Sequence, residues 1–143
     1  MKTLIAAFAL ASAATAWAQN TPVGLWKTID DDGKTEKSLV RITDGGGTLT
    51  GKSEKIFDAA KQDSKCDKCS DERKDKLVLG MIILRNLKLD ADDNEAWSGG
   101  EILDPNNGKT YKARLKPIEG GKQLQMRGYM GPCFRTQVWL RVE

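Results

Sequence analysis

Three cysteines, Cys66, Cys69 and Cys133, together with a complete absence of histidine, set the limits on what chemistry this chain can perform. Without an imidazole there is no Ser-His or Cys-His pair to activate a nucleophile, and the commonest transition-metal ligand is missing. Cys66-Asp67-Lys68-Cys69 is spaced to close on itself, which leaves Cys133 over. As a redox pair it would follow a strand and open a helix that lowers the thiolate pKa, whereas here it sits in a densely charged stretch. As half of a zinc site it has only Cys133 for a third thiolate. A local structural disulfide is the expectation, with redox chemistry and metal binding as the alternatives.

Two other stretches have the residue types of a site. Gly46 to Ser53, GGTLTGKS, matches the pattern in which backbone N–H groups, a lysine (here Lys52) and a hydroxyl surround a nucleotide's phosphates. No later apolar run ends in a metal-binding aspartate and no repeated βαβ units follow, so a glycine-rich hairpin running into a strand is expected instead. Asp90, Asp92, Asn94 and Glu101 approach the spacing of a calcium loop, but position six is Glu95 where the sharp turn requires glycine. The Asp30–Gly33 turn has Leu39 at its twelfth position, and both segments are expected to be solvated turns. Glu95 and Glu101 could do acid–base work, yet nothing in the sequence pairs them. The expectation is a protein that is not an enzyme, with no catalytic residues, no metal and no cofactor.

The elements that would position any site begin with an export signal. Lys2, an apolar run from Leu4 to Ala11 and the small-x-small ending Ala16-Trp17-Ala18 predict a signal peptide over residues 1–18, cleaved after Ala18. The run stops at Gln19-Asn20, short of the about 20 apolar residues a membrane span requires. The remainder, residues 19–143, suits one domain with one core. Export implies the periplasm or the outside of the cell, an oxidising setting for the cysteines. A formal net charge of only +3 gives no support for a nucleic-acid partner.

Within that domain the sequence alternates short β-patterned runs with turn signals. Strands are expected at Val23 to Ile29, Ser38 to Thr43 and Thr48 to Ile56. From Asp58 to Lys76 the chain is charged and nearly free of large apolar side chains, so a surface loop outside the core is expected, with at most one helical turn. Leu77 to Leu89, LVLGMIILRNLKL, reads as a fourth strand, the early Gly80 and Ile82-Ile83 weighing against a buried helix. Glu95 to Leu103 and Lys109 to Ile118 flank an Asp-Pro-Asn-Asn-Gly turn. Gln123 to Met130 and Phe134 to Val142 complete eight strands joined mostly by short connections. The fold class is therefore all-β, an eight-stranded antiparallel up-and-down barrel that closes on itself. A barrel of that size is just wide enough to be filled by side chains or to hold one small ligand.

Alternation assigns the faces. Tyr111, Ala113 and Leu115, and Leu124, Met126 and Met130, form apolar rows expected inside. In the last strand Phe134, Thr136, Val138, Leu140 and Val142 are placed inside, with Arg135, Gln137, Trp139 and Arg141 outside. The reverse is a polar cavity lined by Arg127, Tyr129, Arg135 and Trp139. Trp26 and Trp97 are read as core packing, with a role in walling a ligand cavity as the alternative.

Gly24-Leu25-Trp26, the cysteine pair, Glu72-Arg73-Lys74-Asp75-Lys76 leading into Leu79-Gly80-Met81, the block WSGGEILDPNNGKTY from Trp97 to Tyr111, and GYMGPCFRTQVW near the end together resemble the exported bacterial family known as domain of unknown function 2147. The resemblance spans nearly the whole mature chain and implies a small lipocalin-like or fatty-acid-binding-like β-barrel of unassigned activity. The Gly-x-Trp at the first strand is also similar to the lipocalin signature. By that similarity Trp26 plugs the barrel base beneath a cation-π contact with Arg141 or Arg135. The chain departs from true lipocalins in lacking their C-terminal helix and in carrying the cysteine loop.

Two functions follow as expectations. One is a periplasmic module holding a small apolar or amphipathic ligand, with Trp26, Trp97, Tyr111 and Met126 as candidate wall residues. The other is a filled barrel acting through an outward cationic-aromatic patch of Arg127, Tyr129, Arg135 and Trp139, suited to an acidic partner or envelope polymer. The sequence leaves the oligomeric state open.

Overall fold

A computed structural model describes residues 20–143, so the signal peptide over residues 1–18 lies outside the described residues. The described chain is an eight-stranded closed barrel in which each strand pairs antiparallel with the next. The strands are β1 (Gly24–Ile29), β2 (Glu36–Gly45), β3 (Thr48–Ile56), β4 (Ile82–Leu89), β5 (Trp97–Asp104), β6 (Lys109–Ile118), β7 (Gln123–Met130) and β8 (Cys133–Arg141). The turns follow local chemistry. Gly46 and Gly47 both take positive φ, 66° and 91°, as a two-residue hairpin between right-twisted strands requires. At the β5–β6 turn the Asp104 carboxylate accepts the Asn106 N–H at 2.9 Å.

Closure is uneven around the barrel. Strand β7 pairs with β8 from Gln123 to Met130 and with β6 from Gln123 to Tyr129. Between β1 and β8 the register covers only Trp26 with Arg141 and Lys27 with Leu140, supplemented by backbone bonds of Leu25 to Val142 and Glu143. All of these lie at one end, called here the closed end. The other end carries the β1–β2, β5–β6 and β7–β8 turns.

Three expectations require correction. The fourth strand starts at Ile82, not Leu77: Gly80 has φ 85° and donates to Ser53 O, so the chain turns before the ladder begins, and Leu77 makes only an isolated bridge with Lys65. The charged loop does enter the core. Cys66 and Cys69 form a disulfide, and both are buried in one cluster with Leu103. Leu103 lies on the same, outward parity of β5 as Glu101, so the loop folds back over the outer face of the sheet. The loop is fixed there by ions as well as by sulfur. Arg73, with a side chain only 8% exposed, donates to Ile82 O at 2.9 Å and pairs with Asp71 at 2.6 Å. Arg85 reaches from β4 to Glu101 on β5 at 2.6 Å and also pairs with Glu72. The hydrogen bond from Arg73 holds the Asp71 carboxyl well below its ordinary value, at about 2.

The third correction is the face of β8. Trp139 is 1% exposed and belongs to the core, whereas Phe134 is 55% exposed and Val138, Leu140 and Val142 also face solvent. The register decides it: Trp139 stands opposite Leu124 and Gln137 opposite Met126, both from the inward row of β7. Burying one indole outweighs burying the smaller side chains of the alternate row. The two arginines flanking it sit at the ends of the barrel, where an inward-facing charge finds partners.

Candidate functional site

The closed end is packed. Trp26 is fully buried and donates its indole N–H to Pro22 O at 2.7 Å. The Arg141 guanidinium lies 4.2 Å from the Trp26 ring centroid and donates to the carbonyls of Gly121, Val23 and Thr21. Trp26 and Arg141 are cross-strand partners, so backbone register alone brings cation and ring together.

The open end holds a cavity of about 420 Å³. Its walls differ in character. On the side of β4 to β7 it is lined by Ile83, Ile102, Tyr111 and Met126. On the side of β1, β2 and β8 it is lined by Thr28, Asp31, Lys37, Ser38, Arg135 and Gln137, with Trp139 beneath them. The polar wall is internally hydrogen-bonded. Thr28 Oγ1 and Ser38 Oγ are 2.7 Å apart, and Lys37 Nζ is 3.6 Å from Asp30. Trp139 Nε1 donates to Gln137 Oε1 at 3.0 Å, Gln137 Nε2 donates to Asp31 Oδ1 at 2.8 Å, and Arg135 Nη1 donates to Asp31 Oδ2 at 2.9 Å. Side chains thus bridge β8 to the β1–β2 turn at the end where the backbone register between those strands has stopped.

The cysteine loop braces this mouth from outside. Cys66 Sγ is 3.9 Å from Pro105 O, and Pro105 lines the cavity. Gly108, with φ 72°, is required twice over: a Cβ there would fall on the Lys68 carbonyl of the loop. On the inner side, Tyr111 accepts a hydrogen bond from Asn107 at 2.9 Å.

Of the four residues expected to wall a cavity, Tyr111 and Met126 do so. Trp26 plugs the closed end, and Trp97, paired with Leu89 and Leu115, packs against the core without lining the cavity. The outward patch is divided. Arg127 and Tyr129 do face out, with Phe134 between them: its ring centroid is 4.8 Å from the Arg127 guanidinium and 5.8 Å from the Tyr129 ring. Arg135 and Trp139 belong to the cavity side of β8. Sequence reading missed Gln137, Asp31, Ile83 and Ile102 as lining residues. An Arg-x-Gln-x-Trp row with a tryptophan at its centre of bulk is the signal that would have found the first.

The remaining motifs resolve as local structure. Gly46 and Gly47 form the β2–β3 turn, Thr48 to Ser53 is strand, and Lys52 is exposed on it. Asp90 accepts from Ser98 Oγ and from the N–H groups of Asp92 and Asp93, the Ser98 hydroxyl above all drawing its pKa down, while Glu101 is engaged by Arg85. Among the described residues no cluster of three or more His, Cys, Asp or Glu side chains is placed to hold a metal, and no helix is long and apolar enough to cross a membrane.

The model of a bacterial family described as "uncharacterized protein conserved in bacteria (DUF2147)" matches residues 24–141. The chain belongs to that family. No curated protein matches it. Among solved structures the DUF2147 chain is similar to protein HP1028 from Helicobacter pylori, described as belonging to the lipocalin family. The TM-score is 0.70 at 19% identity, over 85% of this chain and 82% of that one. The likeness establishes a lipocalin-like barrel for the DUF2147 chain, and a β-barrel carrying a disulfide in its β3–β4 loop is the fold expected from the sequence.

Proposed function

We propose that this protein is a non-catalytic binding protein that holds a small, partly apolar molecule in the open end of its barrel. The single observation carrying this reading is the cavity of about 420 Å³ with an apolar wall of Ile83, Ile102, Tyr111 and Met126, a volume within the roughly 300–1,000 Å³ usual for small-molecule sites. Trp139 at its base is a built-in reporter. The N-terminal signal supports export, with the mature chain starting at Gln19 and acting in the periplasm or outside the cell as a single domain over residues 19–143. The alternative, a filled barrel working through its surface, has less support, because the barrel is not filled and Arg127 and Tyr129 are parted from Arg135 and Trp139.

The test is titration of the mature protein with Nile red, followed by dye emission and tryptophan fluorescence. Saturable binding is expected, and Met126→Trp, which fills the cavity, should abolish it while the protein keeps its cooperative thermal unfolding. Binding unchanged by that substitution would place the dye elsewhere and overturn the reading. Mass spectrometry of protein recovered from a periplasmic extract should give the mass of residues 19–143, and a chain retaining residues 1–18 there would refute processing at Ala18.

A further inference from the structure

The polar wall has a fixed sense. An indole N–H can only donate, so the bond from Trp139 Nε1 requires Gln137 to turn its oxygen toward the indole. Its NH₂ group is thereby aimed at the mouth. Trp139 is buried and cannot turn away, and Gln137 cannot flip to offer an acceptor without breaking that bond. Arg135, two residues earlier on the same face, offers a second donor, and the two converge on the two oxygens of one carboxylate, that of Asp31. Donors spread over both oxygens of a carboxylate are the arrangement that recognises an acid. The carboxylate that fills it comes from a turn, and this contact is easily surrendered: Arg135 has a side chain 79% exposed and Asp31 45%. Exposed pairs of this kind are worth only about 0–1 kcal/mol. The neighbouring acids are otherwise engaged, Asp30 with Lys37 and Asp104 with the Asn106 N–H of its own turn.

We infer that Arg135 and Gln137 form the head-group site for an acidic amphiphile, and that Asp31 occupies it as an internal stand-in until such a ligand arrives. This rests on the binding reading proposed above and adds the ligand class to it. The ligand's apolar body lies against Ile102 and Met126, its carboxylate takes the place of the Asp31 carboxylate between Arg135 and Gln137, and the β1–β2 turn swings out. Trp139 is a positioning residue that acts through Gln137.

Calorimetric titration of the mature protein at neutral pH with lauric acid, its methyl ester and laurylamine, each kept monomeric, tests the inference. The acid should bind about tenfold tighter than the ester, the worth of one charge-assisted contact. Arg135→Ala should erase that ratio by bringing the acid down to the affinity of the ester, and Trp139→Phe, which frees Gln137 to flip, should shrink it. Asp31→Asn should tighten the acid about threefold, because the competing carboxylate is gone, and so widen the ratio of acid to ester. Equal affinity for acid and ester would overturn the head-group site and leave the cavity reading standing. So would tightest binding of laurylamine that Asp31→Asn weakens, since Asp31 would then be the recognition group. Failure of all three probes, the ester included, would overturn the cavity reading itself.

Discussion

At the closed end of the barrel an arginine of β8 lies over a buried tryptophan and spends its donors on three backbone carbonyls. At the open end, six residues earlier on the same strand and the same face, another arginine is exposed and meets an aspartate from a turn. The contrast shows what closure does to a charge. Where β1 and β8 are in register, Arg141 is trapped among acceptors that cannot leave. Where that register has ended, Arg135 is held by a partner that can. The difference between a plug and a mouth thus comes from how far one strand pairing runs, and two ends made of like residues acquire different work.

The two ends should differ most in what a substitution at the plug costs. Trp26→Ala should destabilise the protein by about 3–5 kcal/mol in denaturant unfolding, because it leaves a cavity where nothing collapses and strips Arg141 of its ring. A loss below about 1 kcal/mol would mean that the closed end is not the stabilising half. Next in size is the external brace of the mouth. Replacing Cys66 and Cys69 by serine together should reduce stability by about 2 kcal/mol, with the largest gain in hydrogen exchange at the turn from Asp104 to Gly108 instead of around Trp26. Uniform acceleration at both ends would show that the loop braces the whole barrel.

The smallest effect concerns acid. Asp71 has its folded pKa lowered from 3.8 to about 2 by Arg73, so its contribution is fully present above 3.8 and is lost as the pH falls toward 2. Amide exchange in the cysteine loop should rise across that window while Trp26 stays protected. Removing the carboxylate by Asp71→Asn should abolish the pH response, and a response that survives would assign it to another acid.

The strands and turns were legible because period-two patterning and glycine-rich turns are local signals. Gly45-Gly46-Gly47 and Asp104 to Gly108 declared themselves through backbone geometry alone, and the pairing of Trp26 with Arg141 was legible only through likeness to lipocalins. The face of β8 was not legible from hydropathy. Counting apolar residues favoured the row with Phe134, Val138 and Leu140, while the single bulk of Trp139 and its register against Leu124 decided the matter. The cysteine loop was misread for a related reason. A disulfide turns two small side chains into an apolar contact, and Arg73 becomes buriable once Asp71 and the Ile82 carbonyl are beside it. Neither is visible in a composition that is almost wholly charged. Gln137 was missed because an amide becomes a directed donor only when something fixes its orientation, and that is a property of its neighbour.

The short seam between β1 and β8 also bears on how the molecule is made. These are the first and last strands among the described residues, so the pairing that completes the barrel joins its two strands farthest apart in sequence, the contact whose loop-closure cost is largest. Until Leu140 and Arg141 reach Lys27 and Trp26, β1 remains an unpaired edge beside an unsealed core. Synthesis from the N-terminus prolongs that interval until β8 has been made, and any chain interrupted within β8 is left with an open sheet, the state most prone to pair with its own copies.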